Sequence, residues 1–361
     1  MTPRGLHPGA WWVWALGLAT AASVTTNPLI VGLLVLAAVT VVLARRTAAP
    51  WALSFRLYVY LALFIVAIRL VFRVVFGGAV DDVVVIDLPE IPLPDAAAGI
   101  ELFGAVTRSD LLGGLYDGLR LAAMVLCVGA ANTLANPKRL LKALPPALYE
   151  VGTAVVVALS VFPQLAESVA RVHRARTLRG DPGRGTTGLR RVVVPVMEDA
   201  LERSMFLAAT MDARGYGRTG AASPARRRLT GALLLTGLVG LCVGTYALLD
   251  RTAPRWLLAP FLVGGLVLAV AGLASAGRRV ERVVYRPDRW RAGEAVAASS
   301  GPAAAALVLS LPADVAYPAY SEVPVVTLPV LVAVLVAVLP AILTPPPVLE
   351  SEPGETAEVA A

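Results

Sequence analysis

The chain has 361 residues, 57% of them hydrophobic and 16% charged, with a mean hydropathy of +0.72. Soluble domains rarely exceed half apolar content, so this composition excludes an ordinary soluble protein and predicts a chain that crosses the bilayer several times. The net charge is +7, and because Lys138 and Lys142 are the only lysines, the basic side is almost all arginine.

Apolar runs fall at about 10–26, 28–44, 53–75, 111–134, 148–162, 230–249, 256–277, 293–311 and 325–344. Arg4 and His7 precede the first, as in a signal peptide. No small-residue cleavage site stands out in 16–27, and a second apolar run follows at once, so the sequence predicts a retained helix. The "TTNP" at 25–28 suits a tight turn between the first two helices. Trp11, Trp12 and Trp14 suit an interfacial belt.

Arginine and lysine mark cytoplasmic ends. Arg45 and Arg46 follow the second run, and Lys138, Arg139 and Lys142 follow the fourth, so both ends are predicted inside. The stretch 77–110 holds seven acidic residues and one arginine, and its "DDVVVIDLPEIPLP" is too charged and Pro-rich to span, so it is predicted outside. The run at 148–162 is short, contains Glu150, and lies between Pro145-Pro146 and Pro163. If it crossed, the segment from Arg171 to Arg228, with 13 arginines and five acidic residues, would face outward against the rule. It therefore reads as an apolar helix at, or dipping into, the cytoplasmic face.

The expected organisation is all-α and polytopic. Four N-terminal spans lie in 1–135, a cytoplasmic module of amphipathic helices in 136–228, C-terminal spans in 229–345, and an acidic disordered tail, "ESEPGETAEVAA", in 346–361. The run at 293–311 is Ala-rich and weak as a span. Counting it gives eight spans with both termini inside. The lipid bilayer is an expected partner and nucleic acid is not; the place is a cell membrane.

Within the module, "VVVPVMEDALERSMFLAATMDARG" sets Met197, Leu201, Met205, Ala208 and Met211 on one helical stripe, with Asp199, Glu202 and Arg203 off it. Pro195 suits a first turn and Gly215 a helix stop. An earlier helix runs through "QLAESVARVHRARTLRGD", with Leu165, Val169 and Val172 on one face and Gly180, Asp181 and Pro182 at its end. Two amphipathic helices thus each end in Arg-Gly, joined by the Gly-rich "DPGRGTTG". Anionic lipid could hold such helices, at about 1 kcal/mol for each arginine near the surface. A planar guanidinium at a helix end can equally meet a carboxylate on another protein. The doubling favours docking, because two similar ends suit two similar sockets.

"MDARGYG" and its setting resemble the transmembrane T component of energy-coupling factor (ECF) transporters, a branch of the ABC importers. That family carries two Ala-Arg-Gly motifs on cytoplasmic coupling helices. The second is intact here as Ala213, Arg214 and Gly215; the first is degenerate, as Leu178, Arg179 and Gly180, with Ala175-Arg176-Thr177 as another alignment. "GLRLAAMVLCVGAANTLANPKRLLKAL" and "VFPQLAESVARVHRARTLRG" are similar to the family's approach to the coupling region. The resemblance covers 111–217 well, is loose before it, and leaves the spans after Asp250 unexplained.

The resemblance implies a scaffold without catalysis of its own. Two ECF-type ATPase subunits, or one fused ATPase, would bind the coupling helices through Arg179 and Arg214, with Gly180 and Gly215 allowing close approach. A separate S component would capture a vitamin or metal ion. Leu178 is bulkier than Ala213, which implies two non-identical sockets. The residues agree independently: neither lysine follows a glycine, so the chain has no P-loop. His7 and His173 are the only histidines, Cys127 and Cys242 lie singly in apolar runs, and no cofactor or metal site is expected. Among charges in the spans, Arg69 and Arg73 lie near the third and Asp117 and Arg120 in the fourth, the last two spaced to pair on one helix. The alternative is a membrane enzyme acting on lipid-linked phosphates, its arginines gripping phosphate or anionic lipid, though no aspartate-rich metal motif accompanies them. A secondary transporter would need internal repeats and midplane polar sites, and neither is evident.

Overall fold

The computed structural model describes residues 5–47, 55–76, 83–89, 103–143, 146–180, 185–215, 224–249, 254–277, 288, 290–320 and 322–345. Its helices are α1 (Pro8–Ser23), α2 (Pro28–Arg45), α3 (Phe55–Val75), α4 (Arg108–Leu134), α5 (Pro137–Lys142), α6 (Tyr149–Leu178), α7 (Gly185–Ala213), α8 (Pro224–Leu249), α9 (Leu258–Gly277), α10 (Ala292–Leu309), α11 (Ala313–Ala316) and α12 (Leu328–Leu343). Between α3 and α4 a short antiparallel pair, β1 (Val84–Asp87) and β2 (Ala105–Thr107), lies in the stretch predicted to be an outer loop. The protein is an all-α polytopic membrane protein, and α2, α3, α4, α6, α8, α9 and α10 are each long and apolar enough to cross a bilayer. That set differs from the eight predicted spans. It includes α6, whereas α1 and α12, at 16 residues each, reach only about 24 Å of a hydrocarbon core about 30 Å thick.

The chain divides into two compact units, Met1–Leu140 with Asp288–Ala361, and Leu141–Pro287. In the first, α4 packs on α1, α2 and α3, while α10 and α12 close the bundle against α1 and α2. Contact between α1 and α10 is backbone to backbone: a Cβ added at Gly301 would lie 2.1 Å from the Trp14 carbonyl oxygen. Small residues permit this approach, and dispersion between backbones replaces the hydrophobic drive that lipid does not supply. Several polar groups buried at the helix ends are matched across the bundle. The Asn27 carboxamide oxygen caps α2 by accepting from Leu29 and Ile30, and its Nδ2 donates to the carbonyls of Val315 (2.9 Å) and Val325 (3.1 Å). Thr25 donates to the Ala316 carbonyl at 2.7 Å, and Trp14 Nε1 to the Ala337 carbonyl at 3.0 Å. Thr107 caps α4 in a reciprocal box with Asp110.

In the second unit, α8 and α9 form a close pair through Gly237, Gly244 and Gly265, where an added Cβ would meet neighbouring backbone at 2.6 Å. The helices α6 and α7 pack on one another.

Three local expectations need correction. Pro163 does not end an apolar helix; α6 runs through it for 30 residues. Proline there removes one N–H donor and crowds one carbonyl, a local loss that does not end the helix. Pro195 is likewise inside α7, which begins ten residues earlier in the Gly-Thr-Thr-Gly expected to be loop. Asp117 does not pair with Arg120. It faces Arg73 of α3 at 3.6 Å, and the Arg120 guanidinium donates to the Ser23 carbonyl at the end of α1. Interhelical partners took both groups because α3 and α1 pack on that face of α4.

Candidate docking site

Both Arg-Gly ends fold in the same way. α6 stops at Leu178, the Arg179 N–H donates to the Arg176 carbonyl at 3.0 Å, and the Gly180 N–H to the Thr177 carbonyl at 3.1 Å. α7 stops at Ala213, the Arg214 N–H donates to the Met211 carbonyl at 3.1 Å, and the Gly215 N–H to the Asp212 carbonyl at 2.9 Å. The glycines then turn left-handed, with φ of +73° at Gly180 and +76° at Gly215. Nothing crowds the missing Cβ of Gly180, so conformation, not space, requires glycine there. Each arginine side chain is exposed at the end of its helix, and Leu178 is 89% exposed.

This geometry separates the two possible registers of the first motif. Arg176 and Thr177 lie in the last turn of α6, with Arg176 half-buried and the Thr177 hydroxyl donating to the His173 carbonyl at 2.7 Å. Leu178-Arg179-Gly180 reproduces the turn at Ala213-Arg214-Gly215; Ala175-Arg176-Thr177 does not.

The α6–α7 contact has a polar centre that the sequence reading did not find. The Ser168 hydroxyl, 2% exposed as a residue, donates to Asp199 Oδ2 at 2.8 Å. Arg171 Nη2 reaches the same oxygen at 3.2 Å, and Arg203 Nε donates to Asp199 Oδ1 at 3.0 Å. The Ser168 hydroxyl, and behind it the Arg203 and Arg171 guanidiniums, hold the Asp199 carboxyl below the ordinary carboxylate range despite a partial loss of water. The spacing of Asp199 and Arg203, four residues apart on one helix, was a visible signal. Ser168 lies 31 residues away, and only the packing of α6 on α7 brings it in.

Asp199 therefore belongs to the less exposed face of α7 with Val192, Val196 and Ala200; of the predicted stripe, Met197, Leu201, Met205 and Ala208 are exposed and Met211 is half-buried. Leu201 is 64% and Met205 73% exposed. Among the described residues no three His, Cys, Asp or Glu side chains are grouped to hold a metal ion.

Two matching, arginine-tipped helix ends thus lie on one helix pair of a many-helix membrane protein. Residues 2–223 match the family model described as cobalt transport protein, CbiQ. The match covers well over half of the chain, and the chain belongs to that family, whose members are membrane components of cobalt and ECF-type transporters. It takes in every described residue of both Arg-Gly ends and stops before α8. None of the curated proteins matches the chain.

Proposed function

We propose that this chain is the transmembrane scaffold of an ECF-type importer, and that Arg179 and Arg214 are the points at which two cytoplasmic ATPase subunits, or two domains of one fused ATPase, take hold of it. The observation that carries the reading is the repeated helix end: two exposed guanidiniums, each followed by a left-handed glycine, on paired helices. An exposed arginine fork meets a carboxylate with two parallel hydrogen bonds, and a glycine beside it lets the partner's backbone come close. In this reading residues 136–228 form the coupling module, α6 stays at the cytoplasmic face, and ATP-driven movement of the partners is transmitted through α6 and α7. The substrate is captured by a separate membrane partner. The family's description favours a metal ion of the cobalt kind over a vitamin. Membership in a transport family leaves the lipid-phosphate enzyme without a supporting observation.

Co-purification tests the proposal. The tagged chain, extracted in mild detergent, should bring down ATPase subunits and a small membrane protein, and Arg214→Glu should lose the ATPases while remaining in the membrane. A charge-reversed protein that retained them at wild-type levels would leave anionic lipid as the partner of these arginines.

A further inference from the structure

The helices α6 and α7 have 30 and 29 residues, yet they touch far less than α8 and α9 do. Among their described residues only two side chains longer than hydrogen are fully buried, Ser168 and Val196. Other described side chains along the two helices are at most half-buried, and the most deeply buried polar contact between them is the Ser168–Asp199 hydrogen bond. Eleven residues separate Ser168 from Arg179, and fifteen separate Asp199 from Arg214. At about 1.5 Å per residue these are arms of about 16 Å and about 22 Å. A change of about 10° at the crossing moves the longer tip by about 4 Å, more than a hydrogen bond tolerates.

We propose that the Ser168–Asp199 contact is a positioning node that fixes the crossing of α6 on α7 and so sets the separation at which Arg179 and Arg214 are presented. It rests on the docking role of those arginines. A contact between apolar side chains alone could slide and rotate, because dispersion has little directionality. The 2.8 Å hydrogen bond from a buried hydroxyl does not, since a misdirected Ser168 would leave its donor unpaired away from water. The carboxylate is also held from both sides: Arg171 comes from α6 and Arg203 from α7 itself. One guanidinium from each helix keeps Asp199 ionised and aimed at the crossing.

Spin labels at Thr177→Cys and Asp212→Cys, both exposed positions next to the two ends, measure the separation directly in the full-length protein. Cys242 is first replaced by Ser, and Cys127 is buried in α4. In Asp199→Ala and in Ser168→Ala the distance distribution should broaden by at least about 4 Å, as the arm lengths require. Ser168→Thr, which keeps the hydroxyl, should restore the wild-type distribution. Co-expressed ATPase subunits should be recovered several-fold less with the two alanine variants and normally with Ser168→Thr. If Asp199→Ala does not fold, Ser168→Ala carries the test alone, since it removes one hydroxyl and leaves no buried donor. A wild-type distribution in Ser168→Ala overturns the node. Retention of the ATPases by Arg214→Glu, together with a broadened distribution in Asp199→Ala, overturns the docking role and leaves the node standing.

Discussion

The bundle around α1 and the α6–α7 pair answer opposite demands with the same building block. In the bundle, Gly17, Gly301, Trp14 and Asn27 bring backbones into contact and satisfy buried polar atoms through hydrogen bonds spanning almost the whole sequence. In the α6–α7 pair most side chains are exposed, large apolar residues such as Phe162, Met205 and Phe206 included, and the most deeply buried polar contact is the Ser168–Asp199 hydrogen bond. The bundle buries its contacts; the α6–α7 pair leaves most of its surface open, which is what the proposed docking role asks of it. The bundle's tolerance for substitution should therefore be set by volume, and that of the α6–α7 pair by charge and turn geometry.

The sharpest test of that contrast is charge reversal. Arg214→Glu should cost about 2–5 kcal/mol of ATPase association, because a like charge replaces a desolvated pair. The thermal stability of the chain itself, followed by fluorescence-detected gel filtration, should stay at the wild-type level. Volume acts the other way. Gly301→Val places atoms 2.1 Å from the Trp14 carbonyl oxygen and should destabilise the bundle by about 3 kcal/mol, the upper end of overpacking costs, with loss of monodisperse protein on heating.

Smaller changes sharpen the comparison further. Asn27→Ala leaves the Val315 and Val325 carbonyls without their side-chain donor and uncaps α2, a loss of about 1–3 kcal/mol visible as a lowered melting temperature. Exchanging the residues before the two arginines, Leu178→Ala with Ala213→Leu, should weaken assembly by about 1–3 kcal/mol if the two sockets differ in width. A complex with two copies of one single-domain ATPase would refute unequal sockets without touching the role of either arginine. The smallest effect concerns pH. The folded-state Asp199 carboxyl is held below its ordinary value, so its contribution is complete at neutral pH and is lost as the pH falls through that lowered value, beneath about pH 4. The label distance across the two helix ends should accordingly be constant from about pH 8 to about pH 5 and broaden only in stronger acid.

What the residues determined by themselves was local. Apolar run length made the chain a polytopic helix protein, "TTNP" made the turn between α1 and α2, and Arg-Gly at 179–180 and 214–215 made the two left-handed helix stops, since only glycine takes that backbone without strain. The position of those ends on amphipathic helices in an arginine-rich stretch was enough for the family resemblance, which the match over 2–223 bears out. Proline misled at Pro163 and Pro195, because one lost hydrogen bond need not end a helix: α6 passes through Pro163 and α7 through Pro195. The rest was decided by residues far apart in the chain. The tertiary structure joined α10–α12 to the N-terminal helices, turned Asp117 toward Arg73, and chose which face of α7 meets α6. An amphipathic helix declares that it has an apolar stripe but not whether a neighbour covers it. Met197, Leu201 and Met205 stay exposed, while the rotation of α7 that brings Asp199 to the Ser168 hydroxyl rests on a residue 31 positions away.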